Sequence, residues 1–263
     1  MKLRQYVIDA FAERPFTGNP AAVCALDAWL PDALMQSIAI ENNLSETAFA
    51  VRDGAAWRLR WFTPGGEVGL CGHATLATAY AILRFYTPDA DSVRFETVSS
   101  GTLIVSRRAD GRLEMEFPAY ELRPVSVTPE MGEALGVMPR AAYMGRDLLC
   151  VLDDARTVRD LRPDSARIAR LDGLLVHVTA PGSDGVDCVS RSFAPKLRIE
   201  EDPVCGSGHC HIVPYWAERL GKAEVTAFQA SRRGGMLYCR HEGDKVFLAG
   251  AARLYAEAEI YPE

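Results

Sequence analysis

Two stretches of this sequence, LCGHA at 70–74 and VCGSG at 204–208, each place a cysteine and a glycine directly before a long apolar run. The run after Cys71 is rich in Ala and Leu and has no further glycine or proline, which predicts a buried central helix. The run after Cys205 predicts a second helix that ends at Gly221. The sequence therefore predicts two helices that each begin at a cysteine.

The landmarks around these two stretches repeat in the same order. A Pro-Asp pair at 31–32 and Phe-Thr-Pro at 62–64 precede the first stretch. Pro-Asp at 163–164 and Phe-Ala-Pro at 193–195 precede the second, and the intervals agree to within two residues. Three landmarks in a common order favour an internal duplication, and hence two domains of similar fold.

Each half has the pattern of mostly antiparallel strands around one apolar helix. Residues 93–117 offer three short alternating segments separated by Ser-Ser-Gly and Ala-Asp-Gly, which is typical of an antiparallel meander. A domain boundary fits after Pro118. The expected architecture is α+β, with an N-terminal domain at 1–118 and a C-terminal domain at 119–263 whose last strand can return to the first domain.

Composition points to small-molecule chemistry in a reducing compartment. A hydrophobic content of 48% with 24% charged residues is ordinary for a soluble protein, and no apolar run approaches the roughly 20 residues of a membrane span. A net charge of −6 argues against a nucleic-acid partner. The basic start is followed by an apolar run too short for a signal peptide, so we expect a cytoplasmic protein whose seven cysteines are free thiols.

The two helix starts suggest a site for moving a proton. The positive end of a helix dipole favours a thiolate, and the free N–H groups of the first turn can hold a carboxylate. If Cys71 and Cys205 faced one cleft, one thiol would remove a proton from a carbon and the other would return it to the opposite face. The remaining cysteines outside this motif are expected to be core residues: Cys24, Cys150, Cys188 and Cys239.

Three further groups are candidates for acid/base chemistry. Glu46, in NLSETAF at 43–49, lies on a predicted buried strand, where burial raises a carboxyl pKa. In the second half of the repeat, the position that corresponds to Glu46 lies near 178–179 and is apolar or carries a hydroxyl. Glu46 therefore has no acidic counterpart. His73 and Asp202 stand beside the cysteines and can position a substrate or shuttle a proton. The alternatives are a solvated edge-strand glutamate, a histidine bonded to a carbonyl and an aspartate that ends a loop.

A metal or phosphate site at the second helix start is not favoured. Cys205, His209, Cys210 and His211 are of zinc-binding type, but no second ligand pair accompanies them and their side chains diverge on a helix. The glycines at 206 and 208 are not followed by the Lys-Ser/Thr of a Walker motif, so a carboxylate is the expected anion. We therefore expect a small carboxylate-bearing substrate and no metal.

Five segments together resemble the PhzF family of phenazine-biosynthesis-like isomerases, which shares its fold with diaminopimelate epimerase: FTGNPAAV at 16–23, NLSETAF at 43–49, LCGHATL at 70–76, SRSFAP at 190–195 and EDPVCGSGH at 201–209. The resemblance covers essentially the whole chain. It implies two β-barrel domains, each wound around a central helix, with the active site between them, no cofactor and a homodimer. It also implies that Glu46 is the catalytic acid/base, assisted by His73 and Asp202.

One residue departs from the family pattern. The family more usually has threonine where this chain has Cys205, whereas diaminopimelate epimerase is similar in carrying two catalytic cysteines in such Cys-Gly contexts. The sequence predicts a cofactor-independent isomerase or epimerase, with a hydroxy amino acid dehydratase or a non-catalytic ligand- or metal-binding protein as alternatives. The expected catalytic residues are Glu46, Cys71, His73, Asp202 and Cys205. The expected substrate-binding residues are Asn19, Ser45, Gly72, Ala74, Gly206, Ser207 and Gly208.

Overall fold

The computed structural model describes residues 1–262, which divide into two compact units. Unit 1 comprises Met1–Glu116 together with the chain from Ala249 onward, and unit 2 comprises Phe117–Leu248. The division after Glu116 lies close to the sequence-based boundary at Pro118. The last strand belongs to unit 1 because it pairs along its length with the first strand.

Unit 1 contains two helices and most of the strands of the first half of the chain. Its helices are α1 (Asp32–Asn42) and α2 (Gly72–Phe85). Its strands are β1 (Leu3–Ala10), β2 (Asn19–Leu26), β3 (Glu46–Asp53), β4 (Ala56–Thr63), β5 (Gly66–Val68), β6 (Ser92–Thr97), β7 (Thr102–Arg107), β8 (Leu113–Pro118, which crosses the division) and β18 (Ala252–Ile260).

The strands of unit 1 lie around α2, and from β1 to β7 their pairings alternate between antiparallel and parallel. Strand β1 is antiparallel to β18 and β2, β2 is parallel to β3, β3 is antiparallel to β4, β4 is parallel to β6, and β6 is antiparallel to β7. Helix α2 packs against β1, β2, β3 and β6. Ten of its fourteen residues are buried, so it is the central helix that its apolar sequence predicts.

Unit 2 contains the remaining elements of the chain. Its helices are α3 (Pro129–Leu135), α4 (Ala155–Asp160), α5 (Ser165–Ile168) and α6 (Gly206–Leu220), with a 3₁₀ turn at Pro195–Leu197. Its strands are β9 (Arg123–Val125), β10 (Ala141–Met144), β11 (Leu148–Val151), β12 (Val176–Pro181), β13 (Cys188–Ala194), β14 (Ile199–Asp202), β15 (Glu224–Gln229), β16 (Gly235–Glu242) and β17 (Lys245–Gly250, which crosses the division).

The pairing in unit 2 repeats the pairing in unit 1. Strand β10 is antiparallel to β11, β11 is parallel to β12, β12 is antiparallel to β13, β13 is parallel to β15, and β15 is antiparallel to β16. Helix α6 packs against β15 and β16, and ten of its fifteen residues are buried. The α+β architecture with two pseudo-symmetric halves, each built around one helix, is therefore confirmed.

The strand register corrects one detail of the repeat. Phe62 pairs with Thr47 in unit 1, and Phe193 pairs with Val176 in unit 2. Glu46 is therefore equivalent to Leu175 and not to a position near 178–179, because the chain between the landmarks differs slightly in length. The conclusion that Glu46 lacks an acidic counterpart is unchanged.

The cysteines lie where the apolar packing places them. All seven are free and buried. Cys24 packs in a cluster with Met35 and Phe49 in unit 1, and Cys150 packs with Val178 and Phe193 in unit 2.

Among the described residues, no helix is long and apolar enough to cross a membrane.

Candidate active site

Glu46 is placed by a helix end and a strand start. Helix α1 ends at Asn43, which adopts a left-handed conformation with φ of 48° and turns the chain toward β3. Ser45 is half-buried in this turn, and Glu46 is the first residue of β3. The Glu46 side chain is only 12% exposed. Its carboxylate is thus fixed on the sheet and largely removed from water, which suits an acid/base group and excludes the solvated-edge alternative.

The first turn of α2 brings His73 to this carboxylate. Cys71 is the N-cap of α2 in an extended conformation, so His73 is the second helical residue. Its Nε2 lies 3.0 Å from Glu46 Oε2. This short contact is an ion pair without the alignment of a hydrogen bond, and within residues 1–262 neither buried atom has a directed hydrogen-bond partner. Both atoms therefore keep hydrogen-bonding capacity for a substrate.

The other ring nitrogen of His73 has two neighbours. The side-chain amide of Asn19, a fully buried residue that opens β2, lies 3.1 Å from Nδ1, and Cys71 Sγ lies 3.5 Å from it. A neutral ring accepts from the Asn19 amide nitrogen, whereas an imidazolium donates to the amide oxygen. Asn19 can serve either protonation state by presenting a different atom, so it orients the ring in both.

The electrostatics of this cluster favour a charged histidine and a neutral thiol. Burial lowers the pKa of His73, but the charge of the Glu46 carboxylate and hydrogen bonding to the Cys71 sulfur outweigh it and raise the pKa well above its ordinary value. Burial, with a smaller effect of Glu46, raises the pKa of Cys71 to about 11. The helix start favours a thiolate at Cys71, but burial raises the pKa and keeps the thiol protonated.

We expect His73 to keep its proton through neutral pH. Its folded pKa lies above the unfolded value of about 6.5, so protonation stabilises the fold fully below that value, and this contribution is lost as pH rises through the folded pKa. NMR titration of the Cε1 resonance, assigned with His73→Gln, measures it. In Glu46→Gln the same resonance should titrate at lower pH. A His73 that titrates near its ordinary pKa in the unsubstituted protein would contradict this assignment.

The start of α6 is built in the same way around Cys205. Cys205 is the N-cap, and its sulfur accepts from the Gly208 N–H at 3.4 Å. The Ser207 hydroxyl also lies 3.4 Å from this sulfur, and the Cys205 N–H donates to Gln229 Oε1 at 2.8 Å. Burial and then the neighbouring Asp202 carboxylate raise the pKa of Cys205 well above its ordinary range. Cys205 is therefore also a thiol, although its helix start favours a thiolate.

Asp202 combines a structural contact with an electrostatic one. It ends β14, and its Oδ1 accepts the Val204 N–H at 3.1 Å across the intervening proline. Its carboxylate also acts on the Cys205 thiol by charge and by hydrogen bonding. The loop-ending role and a role beside the thiol therefore coexist in one side chain.

The small residues at the two helix starts have packing roles of their own. A Cβ at Gly208 would lie 2.8 Å from two ring atoms of His177 and 3.0 Å from Ser192 Oγ, so the helix can approach this histidine only with glycine there. Gly206 and Ala74 are buried, and Gly72 is half-buried. The structure thus gathers Asn19, Glu46, Cys71 and His73 in unit 1, and Asp202, Cys205, Ser207 and Gly208 in unit 2.

Two clusters have the residue types of metal ligands. In each cluster the three candidate ligand atoms lie within 4.8 Å of one another. In Glu46, Cys71 and His73, the carboxylate and the thiol contact opposite ring nitrogens of the histidine. In Asp147, His177 and His211, the Arg146 guanidinium already pairs with the carboxylate, so a cation would compete with these contacts.

The histidines and the cysteine that follow Cys205 do not converge on a common point. His209 Nδ1 lies 2.7 Å from the Cys205 carbonyl, and His211 Nδ1 lies 3.0 Å from the Ser207 carbonyl, one helical turn earlier in each case. The Cys210 thiol donates to the Gly206 carbonyl. Each side chain is thus held by its own helix, in keeping with the divergence expected for these positions.

Sequence reasoning missed the side chains that support α6. Gln229 bonds Cys205, while Arg146, Asp147 and His177 form a charged cluster behind Ser207. The Arg146–Asp147 pair, His177 and Gln229 lie far apart in the sequence and carry no motif. The one available signal was a histidine in the apolar run LLVHV, where a polar side chain requires a buried partner.

The chain is similar to proteins of one family over nearly its whole length. The family model described as phenazine biosynthesis-like protein matches residues 8–258. A protein of Pseudomonas aeruginosa named as an uncharacterized isomerase is 52% identical over 262 residues, with 99% of each chain covered. A crystal structure of a PhzF family protein from Enterococcus faecalis is 48% identical, with a TM-score of 0.96 and coverage of 99% of this chain and 100% of that one.

More distant structures share the fold alone. A hydroxyproline epimerase from Agrobacterium vitis, with bound trans-4-hydroxy-L-proline, has a TM-score of 0.63 at 9% identity, covering 98% of this chain and 92% of that one.

Proposed function

The chain belongs to the phenazine biosynthesis-like (PhzF) family and is an isomerase, and we propose that it moves a proton on a carbon atom of a small carboxylate-bearing substrate with Glu46 as the acid/base. The proposal requires no cofactor. It assigns Cys71, His73, Asp202 and Cys205 to supporting roles in turnover.

The observation that carries this proposal is the buried pair of Glu46 and His73. Oε2 and Nε2 lie 3.0 Å apart, and neither is engaged in a directed hydrogen bond among the described residues. A carboxylate here can take a proton from carbon, and the adjacent imidazolium can stabilise the negative charge that develops on the substrate. In a proton-shift isomerase, Glu46 returns this proton to another carbon. In an epimerase, Glu46 keeps the proton, and a protonated thiol acts as the acid that donates one to the other face of the same carbon.

The thiols fit this scheme as acids and not as bases. With a pKa of about 11, Cys71 stays protonated at neutral pH, and the pKa of Cys205 is raised further by Asp202. A mechanism that begins with a thiolate would first have to ionise a buried thiol beside a carboxylate. Glu46 is therefore the better candidate for the group that removes the proton.

The remaining parts of the proposal come from the sequence and, for the homodimer, from the family resemblance. They are a homodimer, a cytoplasmic location and substrate contacts at Asn19, Ser45, Gly72, Ala74, Gly206, Ser207 and Gly208. Light scattering on the purified protein tests the dimer, and it would be contradicted by the mass of a single 263-residue chain.

Isotope exchange separates the glutamate mechanism from the two-thiol mechanism. The protein is incubated in heavy water with a panel of amino and hydroxy acids, and mass spectrometry measures deuterium gain at carbon. We expect Cys71→Ala and Cys205→Ala each to keep measurable exchange, because neither thiol removes the proton. Glu46→Gln should slow exchange by about two to four orders of magnitude.

The outcomes distinguish the candidate functions. Loss of water in place of exchange identifies a dehydratase, and neither reaction across the panel would support a binding protein. If both thiol variants lose exchange while Glu46→Gln retains it, the glutamate mechanism is wrong and the two-thiol mechanism stands.

A further inference from the structure

Arg146 reaches the start of α6 from the turn between β10 and β11. Its Nη2 donates to Ser207 Oγ at 3.0 Å. Its Nη1 donates to the Tyr120 hydroxyl at 3.3 Å, and the guanidinium lies over the Tyr120 ring at 5.2 Å. The guanidinium is thus fixed on one side by an aromatic ring and on the other by the first turn of the helix that Cys205 caps.

A buried carboxylate fixes the remaining side of Arg146. Asp147 is fully buried, and its Oδ2 accepts from Arg146 Nε at 3.0 Å and lies 3.3 Å from His177 Nε2. Its Oδ1 accepts the Leu175 N–H at 3.1 Å, and its own N–H donates to His211 Nε2 at 3.2 Å. Asp147 therefore has one position, and Arg146 is held to it by two N–H groups.

Donor and acceptor roles then set the direction of the Ser207 hydroxyl. A guanidinium can only donate, so Ser207 Oγ is the acceptor of the bond from Arg146. The hydroxyl proton remains to be donated, and Cys205 Sγ lies 3.4 Å away. Because the thiol directs its own proton to Asp202, the sulfur is the acceptor of the bond from Ser207. Together with the Gly208 N–H, the sulfur then receives two hydrogen bonds, and both favour its thiolate form.

The internal repeat supports this reading. Cys71 and Cys205 are equivalent N-caps, so His73 and Ser207 are equivalent positions. In unit 1, Asn19 reaches His73 from the start of β2. In unit 2, Arg146 reaches Ser207 from just before β11, the equivalent strand. In the strand register Asn19 corresponds to Gly145, so Arg146 lies one position further along. Each half thus uses a side chain near the same end of the equivalent strand to contact the second residue of its helix.

We propose that Arg146 is a positioning residue for Cys205, which it influences by holding the Ser207 hydroxyl as a hydrogen-bond donor to the sulfur. Arg146 thereby offsets part of the cost that burial and Asp202 impose on the thiolate. The inference rests on the proposed function for the use of Cys205 in turnover, but the orientation of Ser207 does not depend on it.

The test measures the reactivity of the thiol and not turnover. The rate of Cys205 alkylation by iodoacetamide at pH 9 is followed by mass spectrometry of its peptide, with the Cys71 peptide as internal reference. Loss of the hydroxyl donor should raise the thiol pKa by roughly one unit, so Arg146→Gln and Ser207→Ala should each react about tenfold more slowly at Cys205. The Cys71 rate should not change.

The double variant gives the decisive comparison. If Arg146 acts through Ser207, then Arg146→Gln combined with Ser207→Ala should be no slower than Ser207→Ala alone. Effects that multiply would overturn the proposal, since they would show that Arg146 acts on the sulfur by its charge. An Arg146→Gln rate equal to that of the unsubstituted protein would also overturn it.

Two controls separate this effect from unfolding and from general loss of charge. Arg219→Gln removes an arginine that also stacks on a tyrosine and bonds a tyrosine hydroxyl, but near the far end of α6, and it should leave the Cys205 rate unchanged. Unfolding would speed alkylation at every cysteine, which is the opposite direction. The Cβ chemical shift of isotope-labelled Cys205 reports the ratio of thiolate to thiol directly, without an alkylating reagent. If the thiol results hold while the heavy-water panel shows no exchange, the proposed function fails and the positioning role stands.

Discussion

Replacing Glu46 with glutamine is expected to lower kcat by about two to four orders of magnitude, the range that a single acid/base group contributes. Glutamine keeps the size and the place of the side chain at the start of β3, but it cannot accept a proton from carbon. The rate of deuterium exchange or of product formation on the substrate found in the heavy-water panel measures the loss. KM should change much less, because the amide retains an oxygen that can contact the substrate.

A matched control lies five residues earlier in the chain. Glu41 is exposed near the end of α1, so Glu41→Gln makes the same chemical change outside the buried pair and should leave kcat unchanged. Glu46→Gln also breaks the buried pair with His73, so its thermal unfolding midpoint should fall. Circular dichroism at the assay temperature should nevertheless show a folded protein, which excludes loss of fold as the cause. A Glu46→Gln enzyme with more than about a tenth of the original kcat would remove Glu46 from the acid/base role.

The local parts of this site could be predicted from the sequence. Both helix starts, the strand that carries Glu46 and the repeat of landmarks depend on neighbouring residues, and the structure has Cys71 and Cys205 as N-caps. The strand pairing then repeats between the halves, as the landmarks indicated.

The ionisation of the thiols could not be predicted from the same local signals. A helix start favours a thiolate wherever it occurs, but burial and an acidic neighbour brought in from another element decide the outcome here. Glu46 reaches Cys71 from β3, and Asp202 reaches Cys205 from β14. The sequence shows the local dipole but not the desolvation that packing adds.

The charged cluster of Arg146, Asp147 and His177 behind Ser207 could not be predicted from the sequence either, because it too depends on packing between distant segments. Asp147 precedes β11, His177 lies in β12 and Ser207 lies in α6. Each residue is unremarkable in its own segment, and only the parallel pairing of β11 with β12 brings the first two together. A network made by strand register has no signature in a single sequence.

Replacing Asp147 with asparagine is expected to lower the stability of unit 2 by about 3 kcal/mol, the low end for breaking a buried ion pair. The low end applies because the Arg146 side chain is 36% exposed and can turn toward water once its partner is neutral. Hydrogen exchange of the amides in α6 and in β11 to β13 measures the loss in unit 2 alone. Asp172→Asn, at an exposed site shortly before β12, is the control and should cost almost nothing.

The stability that Asp147→Asn loses should depend on pH in a defined direction. Burial raises the pKa of Asp147, but hydrogen bonds and charge from His177 and Arg146 outweigh it and hold the pKa well below its ordinary range. A depressed folded pKa contributes stability above the unfolded value of about 3.9, and this is lost as pH falls through the folded pKa. The difference in stability between Asp147→Asn and the unsubstituted protein should therefore be full at neutral pH and shrink on acidification.

Asp147→Asn should also lower the reactivity of the Cys205 thiol, because Arg146 loses the ion-pair partner that holds it against Ser207. The Cys205 alkylation rate should then fall in the same direction as in Arg146→Gln, while the Cys71 rate stays constant. Removing both charges, with Arg146→Met added to Asp147→Asn, should recover part of the stability, since no unpaired charge remains, but it should not restore the Cys205 rate. Recovery of both would mean that the ion pair only stabilises the fold and that Ser207 is oriented without it.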